Sequence, residues 1–259
     1  MKIVKMEFGE NPVSCQEAFI GCQYSGKGIS KKTFELWKRC GEGKSLSSVH
    51  EKGNYFTWVK ISRNHPCNTL VSGSAVSLLL WDAPNSLSDG AFKRIQTFPD
   101  DYNFMDQFSG YVCGMSVPPF MMQRISRELA MQISEKKVPP LKNGPWKIGD
   151  LDLVEKHGLK VFSCFCCGGG SSMGYKLAGY DVIGGVEIDK KIAAVYKKNM
   201  KPKYFYEMGV ADFNKIPDHE LPPELFGIDI LDGSPPCSSF SMAGSREKKW
   251  GKKTYFREG

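Results

Sequence analysis

Apolar and polar positions alternate unevenly along this chain, and the unevenness divides it. From residue 1 to about 73 neither the helical nor the strand period is sustained, and glycines, serines and lysines break the sequence into short pieces. Two of these carry enough pattern for an expectation. The run Tyr55-Phe56-Thr57-Trp58-Val59-Lys60-Ile61-Ser62 is rich in β-branched and aromatic residues and predicts a strand. Residues 33–40 predict one short helix with Phe34 and Leu36-Trp37 on its apolar side. From Ala75 the pattern firms. Val76-Ser77-Leu78-Leu79-Leu80-Trp81 is an apolar run, and Ser88 is placed to cap a helix through about Gln96, with Asp89 in its first turn. Phe98-Pro99-Asp100-Asp101-Tyr102 closes that helix in a proline turn. After Gly114-Met115-Ser116-Val117-Pro118-Pro119, apolar Met121, Ile125 and Leu129 recur at four-residue spacing, which predicts an amphipathic packing helix over about 120–134. Between 136 and 158, Pro139, Pro140, Pro145, Asn143-Gly144 and many charges predict a connector rather than core.

The period changes again beyond Gly158. Lys160-Val161-Phe162-Ser163-Cys164-Phe165 predicts a buried strand that opens into Cys166-Cys167-Gly168-Gly169-Gly170-Ser171-Ser172-Met173-Gly174, with a helix continuing through Ala178. Strand, glycine turn and helix make the first unit of a nucleotide-binding βαβ fold, although a tight strand-to-helix turn has the same look. A second strand, Asp181-Val182-Ile183-Gly184-Gly185-Val186, ends in Glu187, 17 positions after Gly170 (187 − 170), where such folds hold a ribose diol. Residues 190–200 predict the next helix, with Ile192, Val195 and Tyr196 turned inward. Asp212 falls near a third strand end, and residues 228–231 predict a fourth strand. That strand leads through Gly233-Ser234-Pro235-Pro236 to Cys237. On its own, Cys237 is either an inert thiol beside a proline turn or a nucleophile held rigidly at a sheet edge. Cys164, Cys166 and Cys167 are best taken as small apolar residues.

Composition narrows the class without deciding it. A chain of 259 residues holds one large domain or two small ones, and 41% hydrophobic with 24% charged residues is ordinary for a globular protein. No run approaches about 18 apolar residues, so no membrane span is expected. Nine cysteines and an N-terminus without an apolar leader point to reduced thiols and a cytoplasmic location, nucleoid-associated in a prokaryote. His50, His65, Cys40 and Cys67 lack zinc-ligand spacing, so no metal site is expected. Of the net charge of +7, residues 246–259 hold +4, through Arg246, Lys248, Lys249, Lys252, Lys253 and Arg257 against Glu247 and Glu258. This is a solvated tail or a phosphate-contacting loop beside the cysteine.

Together these stretches resemble the cytosine carbon-5 DNA methyltransferases, which use S-adenosylmethionine. Phe165-Cys166-Cys167-Gly168-Gly169-Gly170 is similar to the family's first motif, with Cys167 where a glycine is usual. Glu187-Ile188-Asp189 is similar to the ribose-binding acid, Asp212 to the acid that binds the adenine amino group, and Ser234-Pro235-Pro236-Cys237 to the catalytic Pro-Cys motif. Residues 94–102 resemble the ninth motif and 114–119 the tenth, with Met115 where asparagine is usual. Both precede the first motif here, so the sequence looks circularly permuted. The resemblance implies a catalytic Cys237 and a cofactor site made of Phe165, Gly169, Gly170, Glu187, Ile188, Asp212, Phe213, Pro236 and Ser116. It implies DNA contacts from Ser241, Arg246, Lys248 and Lys249. The expected fold is α/β: a Rossmann-like methyltransferase sheet in the C-terminal half, with a smaller irregular α+β recognition region at the N-terminus. The expected divisions are 1–86 for part of the target-recognition region, 87–135 for the ninth and tenth motifs, 136–158 for the permutation linker, and 159–259 for the cofactor-binding catalytic half.

By the family's logic, the Cys237 thiolate adds to carbon 6 of a cytosine flipped out of double-stranded DNA, and carbon 5 takes the methyl group. The sequence contains no Glu-Asn-Val motif, whose glutamate neutralises the ring, and no Gln-x-Arg-x-Arg motif. A second polypeptide supplying both is therefore expected, as an obligate heterodimer, with an inactive truncated product as the harsher version. A transfer-RNA cytosine methyltransferase would carry the same motifs, and a non-catalytic cofactor- or DNA-binding subunit would account for the missing glutamate. A nicotinamide dehydrogenase shares the glycine loop and Glu187, but its chemistry has no use for the Pro-Pro-Cys turn.

Overall fold

The computed structural model describes residues 12–70, 77–134, 138 and 143–235. The expectations for Pro236, Cys237, Ser241, Arg246, Lys248 and Lys249 lie outside these residues.

The N-terminal part is a sheet of very short strands with helices packed around it. Helix α1 (Cys15–Ala18) starts in a capping box, Ser14 Oγ accepting from the Glu17 amide while Glu17 reaches back to the Ser14 amide. Strand β1 (Ser25–Gly28) leads to α2 (Lys31–Arg39), which starts earlier than the apolar pattern predicts because Ser30 Oγ accepts from the Thr33 amide. Then come β2 (Lys44–Ser45), a 3-10 turn (Leu46–Val49), β3 (Val59–Lys60), β4 (Leu78–Leu79) and β5 (Asn85–Leu87). Their order is β1-β5-β4-β3-β2, antiparallel except between β3 and β4. The strand predicted over 55–62 shrinks to β3. Tyr55 sits at φ 67, the Trp58 amide turns back to the Tyr55 carbonyl, and Phe56 is 80% exposed, so the chain enters the sheet late.

Helix α3 (Asp89–Ile95) carries its Ser88 cap as the sequence predicts, with Asp89 in the first turn and Lys93 and Arg94 in the last, each complementing the helix dipole. Helix α4 (Ser109–Gly114) has no apolar period long enough to predict it. Helix α5 (Pro119–Ser134) follows, with proline at its first position.

The C-terminal part is a parallel sheet. Strand β6 (Lys160–Cys164), α6 (Gly170–Leu177), β7 (Asp181–Val186), α7 (Lys190–Met200), β8 (Tyr204–Tyr206), α8 (Val210–Phe213) and β9 (Ile230–Gly233) succeed one another, with 3-10 turns at Asp218–Glu220 and Pro223–Gly227. The order is β8-β7-β6-β9 and every pairing is parallel. Strands β6 and β7 are buried almost throughout, which is why they appear in sequence as unbroken apolar runs rather than alternations. The chain winds outward from β6 to β8, then crosses back to lay β9 on the other side of β6. The carboxyl ends of all four strands consequently lie on one edge, with the change of direction between β6 and β9. In open parallel sheets ligands bind at that point.

One apolar cluster joins these parts. It runs from Cys15 and Phe19 through Phe92, Phe98 and Val112 to Met173, Ile192 and Tyr196. The connector is a correction to the sequence expectation. Trp146 is 8% exposed, Leu151 is 6% exposed, and both belong to this cluster. The Trp146 indole N–H donates to the Thr97 carbonyl (2.9 Å), and the Ile148 amide donates to Asp101 Oδ1 (2.8 Å). Proline-rich composition concealed one large aromatic and one leucine, and burying such side chains is worth roughly 1.5–3 kcal/mol each.

Candidate functional site

The glycine loop connects the end of β6 to α6 through three residues in the left-handed region: Phe165 (φ 55), Cys167 (φ 44) and Gly169 (φ 82). Gly169 alone of these adopts it without strain. The loop is held by short bonds. The Cys166 amide donates to the Val186 carbonyl (3.3 Å) and the Gly169 amide to the Cys166 carbonyl (2.8 Å). α6 then begins at Gly170 with Gly169 as its cap, leaving first-turn amides free of any side-chain cap.

Glu187 leaves the end of β7 and locks to this loop. Its Oε2 accepts the Cys167 amide (3.0 Å) and its Oε1 the Asp189 amide (3.0 Å), while Asp189 caps α7 through the Lys191 and Ile192 amides. A carboxylate has about four acceptor positions, so two remain for a ligand hydroxyl pair. Ile188, next along, is 65% exposed. A Cβ built on Gly209 would lie 3.5 Å from Ile188 Cδ1 and 3.7 Å from Asp212 Oδ2, so both flank the same backbone position. Asp212 lies on α8 with an ion pair to Lys215 (2.7 Å), and Phe213 is turned inward, stacked on Phe162 with ring centres 5.4 Å apart. The structure thus brings Phe165, Gly169, Gly170, Glu187, Ile188 and Asp212 to the carboxyl edge, and Phe213 beneath it.

Ser116 reaches the same loop from the other half of the chain. Its hydroxyl is 3.7 Å from Cys167 Sγ, and a Cβ on Gly170 would fall 2.0 Å from the Val117 carbonyl oxygen and 3.1 Å from Ser116 Cβ. Segment 94–102 wires this arrangement together. Gln96 Nε2 donates to the Ser116 carbonyl (2.7 Å), and Thr97 Oγ1 accepts from the Phe120 amide (3.1 Å). Tyr102, 2% exposed, donates its hydroxyl to the Gly168 carbonyl (2.5 Å). Sequence reasoning assigned no role to Gln96 or Tyr102, since only the tertiary contact shows what they hold. A polar-aromatic turn following a helix was the available signal.

The thiols near the loop are unreactive by environment. Burial pushes Cys113, Cys164, Cys166 and Cys167 up from the ordinary cysteine pKa, which keeps each protonated. Among the described residues no cluster of three His, Cys, Asp or Glu side chains could hold a metal ion. Asp232 on β9 accepts from the Ser163 hydroxyl (2.7 Å), and its pKa is raised by burial. Beyond it, Gly233 and Ser234-Pro235 lead off the edge of the sheet toward position 236.

The donor set fits S-adenosylmethionine. An acid with two open acceptor positions stands at a strand end, a second acid lies near an exposed aliphatic side chain, and an uncapped helix start offers amides, all on one edge.

Residues 159–256 match the family model described as C-5 cytosine-specific DNA methylase. Curated relatives match part of the chain. Type II methyltransferase M.NgoPII of Neisseria gonorrhoeae is 36% identical over 87 residues, 34% of this chain and 24% of the relative. M.FnuDI of Fusobacterium nucleatum is 38% identical over 87 residues, 34% of this chain and 23% of the relative. M.Sau96I of Staphylococcus aureus is 38% identical over 100 residues, 38% of this chain and 22% of the relative. The match thus spans about a quarter of the length of each.

Proposed function

With residues 159–256 matching the C-5 cytosine-specific DNA methylase family, we propose that this chain carries the cofactor site and the nucleophile of a DNA cytosine-5 methyltransferase. The observation that carries the reading is the common carboxyl edge of β6, β7, β8 and β9. It gathers Phe165, Glu187, Ile188 and Asp212, and in sequence β9 is followed by Cys237 four residues after Gly233. In this reading Glu187 holds the ribose diol, Asp212 the adenine amino group, and the Gly169-Gly170 amides and Ser116 the remaining polar groups. Bound S-adenosylmethionine supplies an electrophilic methyl group.

Cys237 acts on the base. Its thiolate forms a bond to carbon 6 of a flipped cytosine, which moves the ring electrons to carbon 5, where the methyl group is taken up. Loss of the carbon 5 proton returns an electron pair that expels Cys237 as thiolate. Flipping costs a few kcal/mol, and phosphate contacts by Arg246, Lys248 and Lys249, with Ser241 beside them, offset part of it. The ring must be neutralised during addition, and the residues that do so in the family come, in this reading, from further polypeptide that also extends the sheet. Two features support this: β9 pairs only with β6 among the described residues, and its Leu231 is 67% exposed. Segments 94–102 and 114–119, which precede the glycine loop in sequence yet pack on it, support the permuted order and the division at 1–86, 87–135 and 159–259.

The test is methyl transfer to duplex DNA and to transfer RNA, by the 259 residues alone and with a polypeptide carrying a Glu-Asn-Val motif. Transfer to DNA only in the mixture is expected. Full activity of the single chain would remove the added polypeptide, and transfer to transfer RNA alone would change the substrate. The Cys237→Ser protein is expected to lose turnover and retain cofactor binding; unchanged turnover would take Cys237 out of the reaction.

A further inference from the structure

Away from the cofactor edge, α1 and the loop that follows β3 enclose a cavity of about 770 Å³ that opens to solvent and has Arg94, Phe98 and Phe120 in its wall. Two cysteines line it, Cys15 from the first residue of α1 and Cys67 from the loop. The backbone holds their two segments together: the Cys15 amide donates to the His65 carbonyl (3.0 Å) and the Gln16 amide to the Arg63 carbonyl (3.0 Å). Cys15 is 1% exposed and Cys67 half-buried, packed against the same cluster, and both line the one cavity. We propose that Cys15 and Cys67 form a dithiol site that a small peroxide converts to a disulfide, tying α1 to the loop at 63–67.

The other buried thiols are engaged differently. Cys40 Sγ lies 3.4–3.5 Å from the carbonyls of Gly41, Lys44 and Ser45, Cys166 Sγ lies 3.4 Å from the Val186 carbonyl, and Cys113 is fully enclosed. At the pair, each thiol shifts the other's ionisation. This holds the Cys15 thiol below the usual cysteine pKa and pushes Cys67 up, so Cys15 is the sulfur that ionises first. The Cys15 thiolate attacks one peroxide oxygen and breaks the O–O bond, giving a sulfenic acid on Cys15 and hydroxide. The Cys67 sulfur then attacks Cys15 sulfur, and the sulfenic oxygen leaves as water with the Cys67 proton. Two electrons pass from the thiols to the peroxide. The site is independent of the methyltransferase reading, since no residue of the cofactor edge takes part.

The full chain, purified reduced, is treated with hydrogen peroxide and digested with trypsin plus a glutamate-specific protease, which separates Cys15 from Cys22 and Cys67 from Cys113. A Cys15–Cys67 linked peptide is expected from the folded protein, with free thiols falling from nine to seven at the first plateau. In Cys67→Ser, Cys15 is expected to stop at a sulfenic acid that dimedone captures. Should that variant fail to fold, the linked peptide in the unsubstituted chain, compared with and without urea, decides alone. A plateau at seven thiols with a different pair linked, or equal linkage in urea, would overturn the site.

Discussion

Asp232 is a half-buried acid with too few partners to compensate its desolvation. Desolvation raises its pKa more than the bonds from the Ser163 hydroxyl and the Gly233 amide lower it. A group with a raised folded pKa favours the folded state below its unfolded pKa, about 3.9 for aspartate. That contribution is lost as pH rises through the folded value. Asp232→Asn keeps the acceptor for Ser163 and removes the charge. The variant is expected to melt above the native protein at pH 7, with the gap closing toward pH 3; a gain of about 1 kcal/mol corresponds to ~2–4 °C in a chain of this size. A constant gap across pH would show that the charge is not the cause. Glu187 is the opposite case, a carboxylate with both oxygens engaged by backbone amides. Glu187→Gln turns one acceptor into a donor facing an N–H, and a lost charge-assisted bond is worth about 1.5–3 kcal/mol. S-adenosylmethionine affinity measured by calorimetry is expected to fall by about 10- to 150-fold, at 1.4 kcal/mol per decade. Affinity within a factor of about two, a fraction of a kcal/mol, would remove Glu187 from the site. The sequence exposes Glu187 because it ends an apolar strand. Tyr102 and Gln96 stay hidden, because their roles depend on carbonyls 66 and 20 residues away.

Elements were legible where burial is continuous or a cap is explicit. β7 and α7 occupy the residues that the pattern predicts, and α3 carries its Ser88 cap. The N-terminal strands were not legible, since strands of two to four residues show no period and their pairing is set by contacts far along the chain. Helix contacts can be tested directly. A Cβ on Gly174 would stand 2.4 Å from Met122 Cβ and 2.7 Å from the Pro119 carbonyl oxygen, so α6 meets α5 backbone to backbone. Gly174→Ala forces the helices apart, and overpacking of this kind costs about 1–3 kcal/mol. A urea midpoint lowered with unchanged slope is expected, and an unchanged midpoint would show that the helices are free to separate. In the N-terminal part, residues 25–63 hold nine basic and three acidic groups, a local excess of +6 (9 − 3) that, with the +4 of residues 246–259, net negative charge elsewhere partly offsets. Lys31, Lys32, Lys38 and Arg39 are exposed on α2, with Lys32 5.8 Å from the Tyr55 ring centre and Lys38 5.5 Å from that of Phe34. If this face meets the duplex, replacing Lys31, Lys32 and Lys38 by alanine reduces the salt slope of DNA binding by about 0.9 per lost phosphate contact. An identical slope would place the DNA elsewhere.

At the scale of the whole molecule, the cluster from Cys15 to Met200 makes the halves one folding unit, although the sequence divides them by composition. The proposed linker is then much shorter than 136–158. Trp146 and Leu151 are core, and the 3-10 turn Ile148–Leu153 is tied to Asp101. What remains to act as a covalent joint is the stretch between α5 and Asn143. If that stretch only joins termini, the bond there is dispensable once the chain has folded, because α5 against α6, Ser116 against the glycine loop and Trp146 against Thr97 all hold without it. A protease site inserted after Pro140 and cut in the folded protein is expected to give two fragments that co-elute. They should bind S-adenosylmethionine as the uncut chain does, while unfolding at a midpoint that depends on protein concentration, as an association must. Fragments that separate, or a cut complex that no longer binds the cofactor, would show that this stretch holds the site together rather than merely connecting its two contributors.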